Sequence, residues 1–135
     1  DTCVLSEMVK PNPSKHVVDW LGECDENALF LSVLTLGEIQ KGIAKLPDGR
    51  RKAKIQQWLD GDLQKRFADR MLTISDEVAL TWGTISGDAE RQGTPLPVID
   101  GLLAATALAH NLTLVTRNEN DMRLTGVRLF NPWVL

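Results

Sequence analysis

Residues 97–121 read PVIDGLLAATALAHNLTLVTRNEND, and this stretch decides the fold. Residues 98–110 are strongly apolar and rich in alanine, which predicts a helix that carries Asp100 in its first turn. Asn111 is predicted to end that helix as a C-terminal cap. Residues 112–116 then form the next predicted strand. A buried helix that leads directly into a strand indicates a sheet built from βα units.

Helix-forming and strand-forming segments alternate along the rest of the chain as well. Residues 29–34 are a continuous apolar run, the pattern of a strand buried on both faces. Thr35 is predicted to start a helix over 36–46. Residues 50–69 are predicted to form an amphipathic helix that breaks near Asp60 and Gly61. The predicted fold class is therefore α/β, with a central, mostly parallel twisted sheet surrounded by helices.

The composition predicts one globular domain over residues 1–135, with 43% hydrophobic and 24% charged residues. The chain opens with Asp1 inside a strand-like segment, so we expect a few residues of the first strand to precede it. A net charge of −3 argues against a general nucleic-acid coat protein. Two cysteines without ligand-like spacing, no signal peptide and no apolar run of membrane length predict a cytoplasmic protein that does not contact a membrane.

Four acidic residues lie within or directly after apolar segments, namely Asp1, Glu38, Asp100 and Asp121. Each alone has an ordinary explanation as a strand-end, helix-start or turn residue. Together they indicate a site, because positions that follow parallel strands gather at one edge of the sheet. Several carboxylates in a low-dielectric site need a cation, and oxygen ligands without a histidine cluster favour Mg²⁺ or Mn²⁺ over zinc.

Short polar residues accompany these acids. Thr2 and Ser6 would orient a carboxylate or a metal-bound water, or else cap a helix. Asn118 would donate to a phosphate or hold a water, or else form an Asx turn.

Two other chemistries are disfavoured by the residues around Cys3. As a nucleophile, Cys3 would need a histidine partner, and neither His16 nor His110 lies in a supporting motif. A phosphatase with an aspartyl nucleophile would need a second Asp two residues after Asp1, where Cys3 stands.

Four motifs together resemble one family: DTCVLSE at 1–7, TLGEIQKGI at 35–43, VIDGLLAATALAHNLTLVTRNENDM at 98–122 and RLFNPW at 128–133. The chain is similar, over essentially its whole length, to the PIN-domain ribonucleases of bacterial toxin–antitoxin systems, the VapC group, and especially to its FitB-like members. This resemblance implies a PIN-domain-like α/β/α sandwich.

The resemblance also implies a function: the toxin of a type II toxin–antitoxin system, an endoribonuclease that depends on Mg²⁺ or Mn²⁺. Family members place their fourth acid either directly after the TR pair or three residues later, where this chain has Asn118 and Asp121. Asp121 is therefore assigned as the fourth acid and Asn118 as a supporting group. The implied catalytic and metal-binding set is Asp1, Glu38, Asp100 and Asp121, supported by Thr2, Ser6 and Asn118.

The implied partners are an RNA substrate and a VapB-like antitoxin that inserts a basic side chain toward the acidic site. The resemblance also implies a homodimer that contacts DNA only through the antitoxin. Two alternatives stay open. One is a catalytically idle binding module in an operator-repressor complex, and the other is a regulatory module in which the metal serves stability rather than turnover.

The densest basic cluster of the chain lies in residues 41–54 and is opposed locally only by Asp48. It suits either a phosphate backbone or a solvated helix face, and the sequence leaves both open. The helical phase of Trp58, the nearest aromatic residue, predicts a core position rather than base stacking. The cluster consists of Lys41, Lys45, Arg50, Arg51, Lys52 and Lys54.

Overall fold

The structure is a computed structural model that describes residues 12–134. The first predicted strand, with Asp1, Thr2 and Ser6, lies outside the described residues. In chain order the helices are α1 (Lys15–Glu23), α2 (Val33–Ala44), α3 (Arg50–Gln57), α4 (Gln64–Arg66), α5 (Asp76–Arg91), α6 (Val98–Ala109) and α7 (Glu119–Met122). The strands are β1 (Leu31–Ser32), β2 (Met71–Leu72), β3 (Thr113–Val115) and β4 (Arg128–Phe130). Short 3-10 turns cover Glu26–Ala28 and Arg123–Thr125.

The described strands pair in parallel, as the sequence predicted. Leu31 of β1 lies opposite Met71 of β2, and Leu114 of β3 lies opposite Leu129 of β4. Parallel neighbours require a crossover connection. Helices α2 to α4 supply it between β1 and β2, and α7 supplies it between β3 and β4.

The boundary between β1 and α2 differs from the predicted one. The helix begins at Val33, so the apolar run 29–34 contributes only Leu31 and Ser32 to the strand. Ser32 is the N-cap residue, and its Oγ accepts a hydrogen bond from the backbone N–H of Leu34 at 3.1 Å. Such a cap satisfies an otherwise unpaired donor of the first turn, and apolarity alone does not reveal it.

The long helical segment after Gly49 is interrupted by a π-helical turn at Trp58–Leu63. This turn contains Asp60 and Gly61, where the sequence predicted a break. Ile55, Leu59, Leu63 and Phe67 recur every four residues, and in a straight α-helix that spacing drifts by about 40° per step. The wider π turn offsets part of the drift, so that Leu59, Leu63 and Phe67 are all buried.

Helix α6 begins and ends close to its predicted positions, and α5 precedes it in the chain. Ser75 caps α5, accepting from the N–H of Val78 at 3.2 Å. Asn111 adopts a left-handed conformation with φ of 55°, and the N–H of Leu112 donates to the Ala107 carbonyl oxygen at 2.8 Å. This geometry is a Schellman motif that ends α6 and turns the chain directly into β3.

Close packing between α5 and α6 depends on the absence of a side chain at Gly101. A Cβ atom there would lie 3.1 Å from Cδ1 and 3.2 Å from Nε1 of Trp82. Gly101 is itself buried and directly follows Asp100. The start of α6 therefore lies against α5 at a distance that is tighter than most Cβ contacts.

The apolar core of the described residues has two parts. The first comprises Leu31, Ile39, Ile43, Leu59, Leu63 and Phe67, and the second comprises Leu103, Ala104, Ala107, Leu114, Met122 and Val127. The first supports α2 and the helices that follow it, whereas the second fixes α6, α7 and the β3–β4 pair. Within residues 12–134, no helix is long and apolar enough to cross a membrane.

Candidate active site

Asp100 lies in the first turn of α6, half-buried beside Gly101. Burial raises the pKa of its carboxyl above the ordinary value, and the negative charges of Asp121 and Glu38 raise it further. These three acids come from elements far apart in the sequence. Folding therefore brings three of the four predicted carboxylates close enough to interact electrostatically.

Glu38 lies on α2, in a position fixed by the buried side chains beside it. Thr35 and Ile39 are buried on the same helix, and Glu38 itself is half-buried. Its charge contributes to the raised pKa of Asp100, so it faces the same cluster. The cap at Ser32 sets where the helix starts and hence which residues it turns toward this cluster.

Asp121 is held in place by the turn that precedes α7. The Nδ2 of Asn118 donates to the Oδ2 of Asp121 at 2.8 Å. The backbone N–H of Asn118 donates in turn to the Oγ1 of Thr116, which is fully buried at the end of β3, at 3.0 Å. A chain of short polar contacts thus runs from the core to the carboxylate.

Two residues near this turn were missed at the level of sequence. The Nδ2 of Asn131 donates to the Oε2 of Glu119 at 3.4 Å, and the Oδ1 of Asn131 accepts from the N–H of Trp133 at 3.0 Å. Asn131 therefore links the first residue of α7 to the segment after β4. The RLFNPW motif contained this signal, but nothing in it identified Glu119 as the partner.

The predicted site is partly contained in the described residues. Glu38, Asp100, Asp121 and Asn118 belong to one region, whereas Asp1, Thr2 and Ser6 lie outside residues 12–134. Within that range, no group of three acidic, histidine or cysteine side chains is arranged to hold a metal ion. The donor set nevertheless suits a hard divalent cation, because it is all oxygen and its charges repel one another.

The sequence profile of the PIN domain matches residues 1–126. The chain belongs to the PIN-domain family. Toxin FitB from Neisseria gonorrhoeae is 35% identical, over 98% of this chain and 96% of its own length. VapC ribonuclease Y4jK from Sinorhizobium fredii is 31% identical, over 98% of this chain and 95% of its own length.

Solved structures show the same PIN-domain fold. The crystal structure of FitAcB from Neisseria gonorrhoeae matches with a TM-score of 0.95 at 35% identity, covering 100% of this chain and 97% of that one. The structure of FitAB bound to an IR36 DNA fragment matches with a TM-score of 0.94 at 33% identity, covering 100% of this chain and 94% of that one. The predicted α/β sandwich is confirmed.

Proposed function

We propose that this PIN domain is the toxin of a type II toxin–antitoxin system and hydrolyses RNA phosphodiester bonds with the help of a divalent cation. The observation that carries the proposal is the raised pKa of Asp100, caused by burial and by the charges of Asp121 and Glu38. Carboxylates held close together at an energetic cost suggest a site kept for a ligand that neutralises them. The names of the relatives, a toxin and a ribonuclease, support the same conclusion.

Asp100 and Asp1 are proposed to bind the cation, with Glu38 and Asp121 completing the cluster. When bound, Mg²⁺ or Mn²⁺ would polarise the scissile phosphate and offset the charge that develops on it. Glu38 and Asp121 would orient the attacking water through their carboxylate oxygens. Asn118 would keep Asp121 in one rotamer through the 2.8 Å hydrogen bond. Thr2 and Ser6 are proposed to orient the carboxylate of Asp1.

The acidic cluster also supports the proposed antitoxin partner. A basic side chain inserted among Glu38, Asp100 and Asp121 would neutralise the same charges as the cation and compete with it. The FitAB and VapBC2 complexes bound to DNA fragments support an assembly in which the antitoxin makes the DNA contacts. We propose that this chain forms the equivalent cytoplasmic complex as a homodimer.

Cleavage of a mixed cellular RNA pool tests the proposal directly. Antitoxin-free wild-type protein is incubated with RNA in Mn²⁺ or Mg²⁺ and, separately, in EDTA. The Asp100→Asn variant is incubated under the same conditions. Asp76→Asn is the matched control, because Asp76 also lies in the first turn of a helix but is not one of the charges that raise the pKa of Asp100.

Cleavage by the wild type and Asp76→Asn, abolished by EDTA and reduced at least about 100-fold by Asp100→Asn, would support the nuclease. Equal inactivity of all three proteins, each still binding its antitoxin, would contradict it. That result would favour the idle binding module. Cleavage that persists in EDTA would exclude the metal from the reaction.

A further inference from the structure

An open concave surface lies on α3, outside the acidic cluster. It encloses about 490 Å³ and is lined by Arg50, Arg51, Lys54, Ile55 and Trp58. Ile55 and Trp58 are half-buried and pack on the first core cluster, so they form an apolar floor. The three basic residues are exposed and form the rim. We call this feature the α3 concavity.

The cations of the rim are placed where the helix itself disfavours them. Arg50 and Arg51 occupy the first turn of α3, which contains no acidic residue, although the positive end of a helix dipole favours anions. Within residues 12–134, the side chains of Arg50, Arg51 and Lys54 take part in no ion pair. Their charge is therefore available to an anionic ligand.

Lys52 is a useful contrast on the same helix. Its Nζ donates to the carbonyl oxygen of Leu46 at 3.2 Å and lies 3.4 Å from Oδ1 of Asp48. This lysine closes the connection between α2 and α3 and so has an internal structural role. The rim residues have no comparable role, which separates the surface set from the rest of the basic cluster.

Two exposed lysines follow Glu38 along α2 toward the connection that leads to α3. Glu38, Lys41 and Lys45 are three and seven residues apart and so share one face of α2, which advances about 10 Å from Glu38 to Lys45. The side-chain amides of Gln40 and Gln56 exchange two 2.9 Å hydrogen bonds that hold α2 beside α3. Gln56 lies on the side of α3 opposite the concavity, so a bound strand would reach the concavity past Lys45 and the connection 45–49, and not across the α2–α3 contact.

We propose that the α3 concavity binds a nucleotide of the single-stranded RNA that flanks the cleavage position. The arginine and lysine rim would contact phosphates, and the exposed part of the Trp58 ring would stack on a base. An amphipathic peptide is disfavoured, since it would need a row of apolar anchor sites and only two apolar side chains line this surface. This inference rests on the proposed function and deepens it by naming where the substrate binds.

The test measures RNA binding without cleavage. A fluorescein-labelled (CA)₆ RNA 12-mer is titrated with Asp100→Asn protein in EDTA, followed by fluorescence anisotropy over a range of salt concentrations. The same background carries either Arg50→Ala/Arg51→Ala/Lys54→Ala or the control Lys15→Ala/Lys65→Ala/Arg91→Ala, which removes three exposed cations elsewhere.

Loss of three phosphate contacts should weaken binding about 100-fold near 0.1 M salt and lower the salt slope by about 2, because each contact contributes about 0.7 for single strands. Trp58→Leu keeps an apolar floor but removes the stacking ring, and it should weaken binding about 10-fold. Trp58→Phe should recover most of that loss. Melting temperatures identify any variant that is unfolded. If a Trp58 variant unfolds, the rim variant still tests the inference, because its three substituted residues are all exposed.

Equal weakening by the rim and control variants would overturn the inference, since it would indicate nonspecific attraction. Binding of a fluorescent poly-glutamate peptide that depends on the rim but not on Trp58, and is tighter than RNA binding, would favour an acidic peptide instead. Failure of the proposed function is separate. If the rim substitutions, made in a protein that keeps Asp100, leave RNA cleavage unchanged, the proposed nuclease stands and the subsite fails. If RNA binding depends on the rim but the wild type does not cleave RNA, the subsite stands and the nuclease fails.

Discussion

At the scale of one residue, the fold holds the Asp100 carboxylate in surroundings that disfavour its negative charge. It is the only described carboxyl whose pKa is resolved as raised, first by burial and then by two like charges. A group whose pKa is higher in the folded than in the unfolded protein destabilises the fold when it is ionised. The protein without a cation is therefore less stable at neutral pH than its packing alone would make it.

Asp100→Asn is expected to raise the melting temperature of the metal-free protein by a few degrees at pH 7 while it abolishes cleavage. The gain comes from removing a charge that burial and neighbouring carboxylates oppose. Thermal melts in EDTA check the stability, and RNA cleavage checks the activity. A variant less stable than the wild type would contradict this account of the site.

The same pKa shift predicts how that stability gain changes with pH. The destabilisation by Asp100 is fully present above its folded pKa and disappears as the pH falls through it toward the unfolded value. The difference in melting temperature between Asp100→Asn and the wild type should therefore be largest near pH 7 and shrink on acidification. Paired melts across the acid range measure it, and a constant difference would refute the electrostatic cause.

Asn118→Ala is expected to lower activity about 10-fold, because Asp121 is a proposed metal ligand and the hydrogen-bond partners of metal ligands have effects of that size. The substitution removes the 2.8 Å hydrogen bond to Asp121 but little buried contact, since Asn118 is exposed. Titration with Mn²⁺ should show weaker binding with an almost unchanged melting temperature. Asn120→Ala, an exposed neighbour in α7, is the control and should leave both properties unchanged.

Sequence reasoning predicted the acids more readily than the groups that position them. Glu38, Asp100 and Asp121 stand out because charge is unusual beside apolar segments, and folding brings these three together. The bond between Asn131 and Glu119 joins residues twelve positions apart across two elements. No spacing rule predicts such a contact, because it depends on how β4 ends beside α7.

At the scale of elements, the start of α6 depends on its contact with α5. Gly101→Ala places a Cβ about 3.1 Å from the Trp82 ring, closer than ordinary van der Waals contact, so the ring or one of the helices must shift. The expected destabilisation is about 1–3 kcal/mol, the usual cost of overpacking, less the small helix-propensity gain of alanine. Activity per folded molecule should fall too, because Asp100 is the preceding residue.

Gly83→Ala on α5 is the matched control for that prediction. None of the described atoms lies within 4 Å of a Cβ built there, so the substitution should stabilise the protein by up to about 1 kcal/mol. Chemical denaturation measures both variants. Equal effects of the two substitutions would show that helix propensity, and not the contact with Trp82, governs position 101.

Element types were easier to predict than their limits. The predicted start and end of α6 were nearly correct, because the apolar run and the cap at Asn111 agree. The limit between β1 and α2 was predicted too late, since residues 29–34 are apolar apart from Ser32 and the competing signal was the single hydroxyl of that serine. Local hydrogen bonding decided a boundary that hydrophobicity left undetermined.

At the scale of the whole molecule, the two core clusters serve different purposes. Leu63 and Met122 are almost completely buried, one in each cluster. Substitution of either by alanine should destabilise the protein by about 2–5 kcal/mol. Only Met122 adjoins Asp121, so Met122→Ala should also lower activity per folded molecule, whereas Leu63→Ala should not.

Thermal stability, combined with cleavage measured well below the melting temperature, separates these two effects. Leu63→Ala serves as the internal control for Met122→Ala, since both remove a large apolar side chain of 1% exposure. Activity lost equally in both variants would show that the acidic cluster depends on the entire core and not on the part beneath α7.

The π turn at Trp58–Leu63 has a consequence for how this chain tolerates changes in length. Deleting one residue there would restore an ordinary α-helix, in which Leu63 and Phe67 would follow Ile55 by seven and eleven residues and would stay within about 20° of its direction. A one-residue gain or loss between Lys45 and Gly49 would only lengthen or shorten a surface connection. One-residue deletions should therefore be tolerated both before α3 and within the turn, and be rare in the α-helical parts of this segment. A descendant that loses one residue of the turn would keep the same apolar residues on the core face, with a regular α-helix in place of the π turn.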